Sequence, residues 1–359
     1  MWNVTTDDSV VDQHGKVLFF STRRFIEDIC LGDCCFICGA KSNEKPFNNE
    51  HILPEWLLRR YNLFARTITL PNGNMVRYDR YTVPCCVDCN SLMGREIEQP
   101  ISDAVQAGPA ALAEFIRDGG GLNMFIWMGL IFLKTHLKDR TFRVHLDQRK
   151  GADKIADQYE WEHLHHIHSV VRCFYTGCRV AQEAVESFLA VSVRAPASPE
   201  QFDFGDLYFA QSMFLRLDEM AMVTVFNDSG AAMSWFWQKL EKITGPVSDL
   251  QLREIMVEFA YLNLLLKERP TFQTDCNILE ETCRIIGRRG SLDLDDMDLT
   301  LRGKLMHHGY QHILPFIHNR DATDEEVLEA IKAGTFTFLF DEHGKFIEDS
   351  VSPPPRQCL

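Results

Sequence analysis

The chain has 359 residues, enough for two or three domains, and its content of 45% hydrophobic and 25% charged residues is that of an ordinary folded protein. Its net charge of −14 argues against a uniformly basic surface for nucleic acid. The first residues are polar and acidic, unlike a signal peptide, and the longest apolar run, Met124 to Leu133, is too short to cross a bilayer. We therefore predict a cytoplasmic protein with no membrane partner.

The first third of the chain predicts a hairpin, a short helix and a cysteine-rich segment. Asp12 to Gly15 predicts a turn that leads into a strand, and residues 20–29 predict a helix capped by Ser21 or Thr22. A second helix is expected over residues 90–107. It should kink or break near Pro100, because proline has no N–H group to donate within a helix.

The remainder of the chain has the patterns of an α+β protein in which helices dominate. Residues 124–137 are apolar enough for a buried helix, and residues 204–226 predict strands with a turn near Asp218 and Glu219. Ser248 starts a capping box, which marks the beginning of a helix. We therefore predict an α+β fold class.

These patterns divide the chain into four regions. They are an N-terminal hairpin and helix, a cysteine-rich module, a larger α+β region and a disordered, proline-rich tail. Their predicted bounds are 1–31, 32–107, 108–350 and 351–359.

Two cysteine pairs with a two-residue spacing lie in the second region: Cys35 with Cys38, and Cys86 with Cys89. Twelve cysteines in a cytoplasmic chain favour reduced thiols and metal binding over disulfides. Two such pairs can supply four thiolates to one tetrahedral Zn²⁺. Cys34 and Cys85 adjoin the pairs, so each ligand is ambiguous by one residue. We favour Cys35 and Cys86, because their spacing lets both sulfurs of a pair face one ion.

Between the two pairs lies the sequence Glu50-His51-Ile52-Leu53-Pro54, and Asn90 follows the last cysteine directly. Histidine is the residue type that exchanges protons near neutral pH, and carboxylate and amide oxygens suit a hard divalent cation. The segment from Cys35 to about Glu98 resembles the HNH, or ββα-metal, endonuclease family in its zinc-stapled, treble-clef-like form.

The resemblance implies that the chain hydrolyses phosphodiester bonds with His51 as general base. It implies that Glu50 and Asn90 are catalytic residues that hold a catalytic Mg²⁺ or Mn²⁺, while the four cysteines hold a structural Zn²⁺. It also implies a nucleic-acid partner, with DNA favoured over RNA. The role of the larger region stays open, and it includes the formation of a homo-oligomer or the binding of an activating protein.

Two features of the segment depart from the family pattern. Residues 79–84 lack the asparagine that helps many members hold the histidine-bearing loop, and Tyr81 and Arg80 are the candidates to replace it. Glu50 and His51 are neighbours, and neighbours on a regular strand face opposite sides. Both side chains can therefore serve one site only if the backbone bends there.

The charges around the motif are balanced, since residues 20–100 contain ten Lys+Arg and ten Asp+Glu. The arginines can form a basic groove for nucleic acid or an ordinary solvated surface. The arginines that we favour for binding nucleic acid are Arg59, Arg60, Arg80 and Arg95. Glu96 and Glu98 are either additional metal ligands or solvated partners of arginine.

Two other functions remain open at this stage. The zinc module can bind nucleic acid or a protein without cutting, or the activity can reside in the region after Pro100. A second metal site is conceivable in the histidine-rich stretch 163–168, with Cys173 and Cys178 behind it. Its spacing fits no common zinc pattern, so we favour packing or surface roles for these histidines.

Overall fold

The computed structural model describes residues 1–195, 201–310 and 323–348. Helices and several small sheets occur together in these residues, and this confirms the α+β fold class. The tail predicted at 351–359 lies outside the described residues.

The chain divides into two compact units. The first comprises Met1–Ala184 together with Phe272–Gly287, and the second comprises Val185–Thr271 together with the chain from Arg288 onward. The predicted boundary at residue 107 therefore falls inside the first unit, which also contains a later hairpin.

The strands and helices are numbered in chain order. The strands are β1 (Asn3–Val4), β2 (Val10–Val11), β3 (Val17–Phe19), β4 (Phe47–His51), β5 (Thr67–Thr69), β6 (Met75–Arg77), β7 (Thr82–Cys86), β8 (Arg179–Val180), β9 (Phe188–Ser192), β10 (Phe202–Leu207), β11 (Ser212–Leu217), β12 (Met220–Val225), β13 (Thr271–Asn277) and β14 (Thr282–Arg288). The α-helices are α1 (Thr22–Arg24), α2 (Glu55–Arg60), α3 (Val87–Met93), α4 (Gln99–Gln106), α5 (Pro109–Phe115), α6 (Gly121–Asp139), α7 (His165–Val171), α8 (Cys173–Thr176), α9 (Ala231–Leu240), α10 (Asp249–Leu264), α11 (Leu299–Tyr310) and α12 (Asp324–Lys332).

The chain begins with a three-stranded sheet, β1–β2–β3, and a short helix. The predicted cap is confirmed, because the Ser21 hydroxyl oxygen accepts a hydrogen bond of 3.2 Å from the backbone N–H of Arg24. After α1 the helix continues as a π-helical turn over Phe25–Cys30.

Strands β4 and β7 form an antiparallel pair that leads directly into helix α3. Phe47 lies opposite Cys86, and His51, the last residue of β4, lies opposite Thr82. Helix α2 and the β5–β6 hairpin are inserted between the two strands. The order is therefore strand, strand and helix, and the cysteine pair Cys86–Cys89 lies where β7 becomes α3.

The helix that we expected over residues 90–107 is present, but its irregularity lies before Pro100. Helix α3 passes into a π-helical turn at Gly94–Glu98 and then into α4, and the residues at both junctions have right-handed helical backbone angles. Pro100 lies in the first turn of α4, where a missing N–H group costs least. The extra residue of the π turn takes up the change in register.

Helix α6 is the long apolar helix of the first unit. It extends the predicted segment at both ends, and it is buried on nearly its whole surface, as an all-apolar helix requires. Its sequence nevertheless contains the buried polar residues Lys134, His136 and Asp139. Among the described residues, no helix is long and apolar enough to cross a membrane.

The second unit is built on a four-stranded antiparallel sheet in the order β10–β11–β12–β9. The predicted turn is confirmed, since Leu217 pairs with Met220 and Asp218 between them has φ +54°. Helix α10 packs on this sheet, and α9 and α11 pack on α10. The capping box is also confirmed: the Ser248 N–H donates to Gln251 Oε1 and the Gln251 N–H donates to the Ser248 hydroxyl.

Strands β13 and β14 bring a later part of the chain back to the first unit. Strand β14 pairs in parallel with β8, and a disulfide joins Cys178 to Cys283 beside this pairing. The expectation of reduced thiols throughout the chain is therefore wrong for these two cysteines. The two residues come together through a pairing between segments 105 positions apart, which local patterns do not reveal.

We expect the disulfide to hold the β13–β14 hairpin on the first unit. A bridge that closes a loop of this length stabilises a fold by about 2–5 kcal/mol, chiefly by restricting the unfolded chain. Urea unfolding should therefore show a lower midpoint for Cys178→Ser than for the wild type, and the reductant TCEP should lower the wild type to the level of the variant.

Cys173→Ser is the matched control, because Cys173 is a free cysteine close by in the chain. It should unfold like the wild type. A wild-type midpoint that is indifferent to TCEP would contradict this role of the disulfide.

Candidate functional site

Four buried cysteines come together in the first unit. The sulfurs of Cys35, Cys38, Cys86 and Cys89 all lie within 4.8 Å of one another. Among the described residues, this is the one group of cysteine, histidine and acidic side chains close enough to hold a metal ion. The grouping resolves the ambiguity at each pair in favour of Cys35 and Cys86, and it can hold a metal ion such as zinc.

The first cysteine pair lies on a tight turn that depends on a glycine. The Gly39 N–H donates to the Cys35 carbonyl at 2.8 Å, and the Cys35 N–H donates to the Ala40 carbonyl at 2.8 Å. Gly39 has φ +76°, and a Cβ atom there would lie 2.6 Å from the ring of Phe20. Glycine is therefore required at this position for both its backbone angle and its size.

The second cysteine pair lies at the start of a helix. Cys86 is the N-cap residue of α3 and Cys89 lies in its first turn. The N–H groups at a helix start favour negative charge, so this position stabilises thiolates. The turn and the helix start together direct four sulfurs to one point.

The four thiols cannot all ionise without a cation. Hydrogen bonds from Cys38, Cys85 and Cys89 hold the pKa of Cys35 far below its usual range. The hydrogen bond to Cys35 raises the pKa of Cys38 to about 12, and hydrogen bonds to the same sulfur raise the pKa of Cys85 and Cys89. A divalent cation would supply the missing charge, and a four-thiolate set fits Zn²⁺ as a closed structural centre.

The backbone of the first cysteine turn is held by two buried side chains from later in the chain. His168 Nε2 donates to the Phe36 carbonyl at 2.8 Å, and Arg172 Nε donates to the Ile37 carbonyl at 2.5 Å. Burial lowers the pKa of His168 well below its usual range, which keeps its ring neutral. His168 belongs to the histidine-rich stretch of the sequence, where it supports the cysteine cluster.

The other histidines of that stretch also pack against the first unit. His165 Nε2 donates to the Phe20 carbonyl at 2.7 Å, and the ring of His166 stacks on Phe272 with centroids 3.7 Å apart. These contacts agree with the packing roles that the sequence favours for them. Support of the cysteine turn by His168 and Arg172 could not be predicted from local patterns, because the donors and the carbonyls are more than 130 positions apart.

Glu50 is buried and forms an ion pair with Lys134 of helix α6. The exposed fractions of the two residues are 7% and 1%, and Lys134 Nζ donates to Glu50 Oε1 at 2.8 Å. The same ammonium donates to the backbone carbonyl of His51 at 2.8 Å. The carboxylate expected to ligate a catalytic cation is therefore already neutralised in part by a residue that the sequence analysis did not single out.

The His51 side chain is half-buried at the end of β4, next to the bend that leads to Pro54. Within the described part of the chain, its imidazole enters no hydrogen bond. Asn90 is half-buried in the first turn of α3, one residue after Cys89. Both predicted residues therefore lie in the strand–strand–helix segment formed by β4, β7 and α3.

Glu98 adds a second carboxylate close to the Glu50–Lys134 pair. Its Oε1 atom is buried and has no hydrogen-bond partner. Burial raises the pKa of Glu98 to about 7, with Lys134 lowering it and Glu50 raising it further. Glu98 therefore feels the charges of both members of the Glu50–Lys134 pair, and its unpartnered oxygen suits a hard cation. Glu98 fits the role of ligand better than exposed Glu96, which pairs with Arg95.

The four arginines predicted to bind nucleic acid differ in their surroundings. Arg59 pairs with Glu55, and Arg95 pairs with Glu96, in both cases at the surface. Arg60 lies against Tyr61, with 3.3 Å between its Nε and the phenol oxygen. Arg80 is exposed and forms no ion pair within the residues described. Exposed ion pairs are weak, so these arginines can exchange a carboxylate for a phosphate.

Comparisons with protein-family models, curated proteins and solved structures gave no match to this chain. The resemblance to the HNH family therefore rests on the motif residues alone.

We expect the four clustered cysteines to bind one zinc ion per chain. Cys35→Ser with Cys38→Ser should abolish zinc binding and unfold the segment, because a metal centre of this type supplies much of the folding free energy, about 10 kcal/mol or more in small zinc modules. Zinc content by atomic emission and helicity by circular dichroism measure the two effects.

The matched control is Cys34→Ser, which changes a buried thiol next to Cys35 that is not a member of the cluster. It should retain one zinc ion. Loss of zinc from the control, with zinc retained in Cys35→Ser and Cys38→Ser, would overturn the ligand set.

Proposed function

We propose that the chain is an HNH-type endonuclease that hydrolyses phosphodiester bonds of nucleic acid, with His51 as general base. The observation that carries this proposal is the position of His51. Its imidazole is half-buried and has no hydrogen-bond partner within the described residues. His51 is the last residue of β4, which pairs with β7, and the four-cysteine cluster lies where β7 leads into α3. DNA is the substrate class that the resemblance favours.

In this mechanism a ring nitrogen of His51 accepts a proton from water as the water oxygen attacks phosphorus. The bond from phosphorus to the leaving oxygen then breaks, and that oxygen takes up a proton. A histidine without other partners suits this role, because its nitrogen is available to the water. The strand and the bend on either side of His51 fix the direction of its side chain.

A catalytic Mg²⁺ or Mn²⁺ is part of the proposal, and the oxygens of Glu50, Glu98 and Asn90 are those that would hold it. When bound, such a cation neutralises charge on the phosphate as the transition state forms. The unpartnered Glu98 oxygen supports a cation here, and Glu98 replaces Glu96 as the additional ligand. The four cysteines serve folding alone, since a closed thiolate centre has no position open to a substrate.

Nucleic acid is the proposed partner, and Arg80 is the first residue that we assign to its backbone. Arg80 is exposed and lies two residues from Thr82, which pairs with His51. Arg59, Arg60 and Arg95 extend the set. The overall charge of −14 opposes binding of a polyanion. Contacts of these arginines with phosphates would release counterions, so affinity should fall as the salt concentration is raised. A homo-oligomer or an activating protein would add to the binding surface.

A zinc-stapled binding module without cutting activity is the second candidate. The observation in its favour is the ion pair between Glu50 and Lys134. A carboxylate that is already paired attracts a divalent cation less strongly, because the ammonium repels the incoming charge.

The test is cleavage of supercoiled plasmid in the presence of Mg²⁺ or Mn²⁺, with EDTA as the metal-free control. His51→Ala should cut at least about 100 times more slowly than the wild type, the usual scale for loss of a general base. His163→Ala is the matched control, because His163 is exposed and its one ion pair within the described residues is with Glu160. It should cut at the wild-type rate.

Undiminished cutting by His51→Ala would refute the assignment of the base. If the wild type cuts neither DNA nor RNA but still binds DNA in a salt-dependent manner, the second candidate is favoured.

A further inference from the structure

We propose that Lys134 is the residue that positions His51, acting from helix α6 through the backbone rather than by contact with the substrate. The inference rests on the proposed function of His51 and extends it. It assigns a role in the site to a residue of the larger α+β region, which lies outside the motif in the sequence.

The geometry of Lys134 carries the inference. One ammonium spans two groups of adjacent residues, since it donates to Glu50 Oε1 and to the His51 carbonyl, each at 2.8 Å. These bonds fix the side chain of one residue and the backbone of the next. The peptide group between His51 and Ile52 is therefore held on both sides. Lys134 donates to its carbonyl, and its N–H donates to the Tyr81 carbonyl at 3.0 Å.

The position of these bonds matters because the strand ends there. Beyond Ile52 the chain bends and enters α2 after Pro54, so pairing with β7 no longer supports it. A buried carbonyl at the end of a strand needs a donor. Lys134 is that donor, and it acts together with Tyr81, whose carbonyl accepts from the next N–H group along the chain.

Burial separates a positioning role from a catalytic one. Lys134 is 1% exposed, so its ammonium cannot reach a phosphate in solution. It lies in the middle of a helix that is buried along nearly its whole length, and such a helix moves little. The backbone at His51 is therefore held to a buried helix of the first unit.

The choice of a lysine is itself informative. Burying an ammonium and a carboxylate is often no better for stability than a pair of apolar side chains of the same size. What an apolar pair cannot do is donate to the His51 carbonyl and orient Glu50 at once. The structure thus favours geometry over stability as the role of this ion pair.

The experiment compares Lys134→Met with Lys138→Met on the same helix. Lys138 is half-buried and lies over the ring of Phe142, outside the proposed site. Three properties are measured on the full chain: the NMR signal of the His51 ring in protein labelled with ¹³C-histidine, the ¹¹³Cd spectrum of the cadmium-substituted cysteine centre, and kcat and KM for plasmid cleavage. The His51 signal is assigned from its absence in His51→Ala.

We expect Lys134→Met to shift or broaden the His51 signal while the ¹¹³Cd signal stays in place. We also expect kcat to fall by at least about tenfold with KM nearly unchanged, which is the pattern of a misplaced base. Lys138→Met should leave all three properties unchanged. An unmoved His51 signal in folded Lys134→Met overturns the inference.

A second comparison covers the case in which Lys134→Met does not fold because Glu50 is left unpaired. Glu50→Gln with Lys134→Met removes both charges, and Glu50→Gln alone retains the donor to His51. The His51 signal should differ between these two variants, and identical signals overturn the inference. The NMR measurement needs no substrate, so a wild type that does not cut refutes the proposed function and still tests the role of Lys134.

Discussion

Four sulfur atoms within 4.8 Å of one another repel when they ionise, and a divalent cation at their centre removes that repulsion. The geometry of the segment from the first cysteine turn to the start of α3 depends on this neutralisation of the thiolates by a cation. Strands β4 and β7 are short, and two strands alone are not stable in water. The cysteine centre replaces the core that such a segment cannot build.

The centre is in turn supported from outside the segment. His168 and Arg172 hold the carbonyls of the cysteine turn, and Lys134 holds the carbonyl of His51. Each of these donors is buried, so each bond is formed in surroundings where an unpaired carbonyl is costly. The candidate site therefore depends on residues throughout the first unit as well as on the motif itself.

Local sequence patterns were sufficient to predict much of the fold. The Ser21 cap, the Ser248 capping box, the turn at Asp218 and the long helix α6 follow from rules that act over a few residues, and all are present. The cysteine ligands followed from spacing for the same reason. Lys134 could not be predicted, because a lysine within an apolar run gives no hint of a partner 84 positions away.

The Cys178–Cys283 disulfide and the inclusion of Phe272–Gly287 in the first unit could not be predicted, because both depend on strand pairing between distant segments. The extra residue in the helix at Gly94–Glu98 could not be predicted, because a π turn leaves no clear periodic pattern in the sequence. From the sequence alone, Glu98 and Glu96 are equal candidates for an additional metal ligand. The burial of Glu98 beside Glu50 and Lys134 is a tertiary fact, and burial is what distinguishes it from Glu96.

The return of β13 and β14 to the first unit has a consequence for synthesis of the chain. A ribosome releases residues in order, and the first unit lacks its last strand pairing until residue 287 has emerged. By then all four strands of the sheet of the second unit have already been synthesised. The two units therefore cannot mature strictly one after the other, and a gene fragment that stops at residue 184 encodes an incomplete first unit.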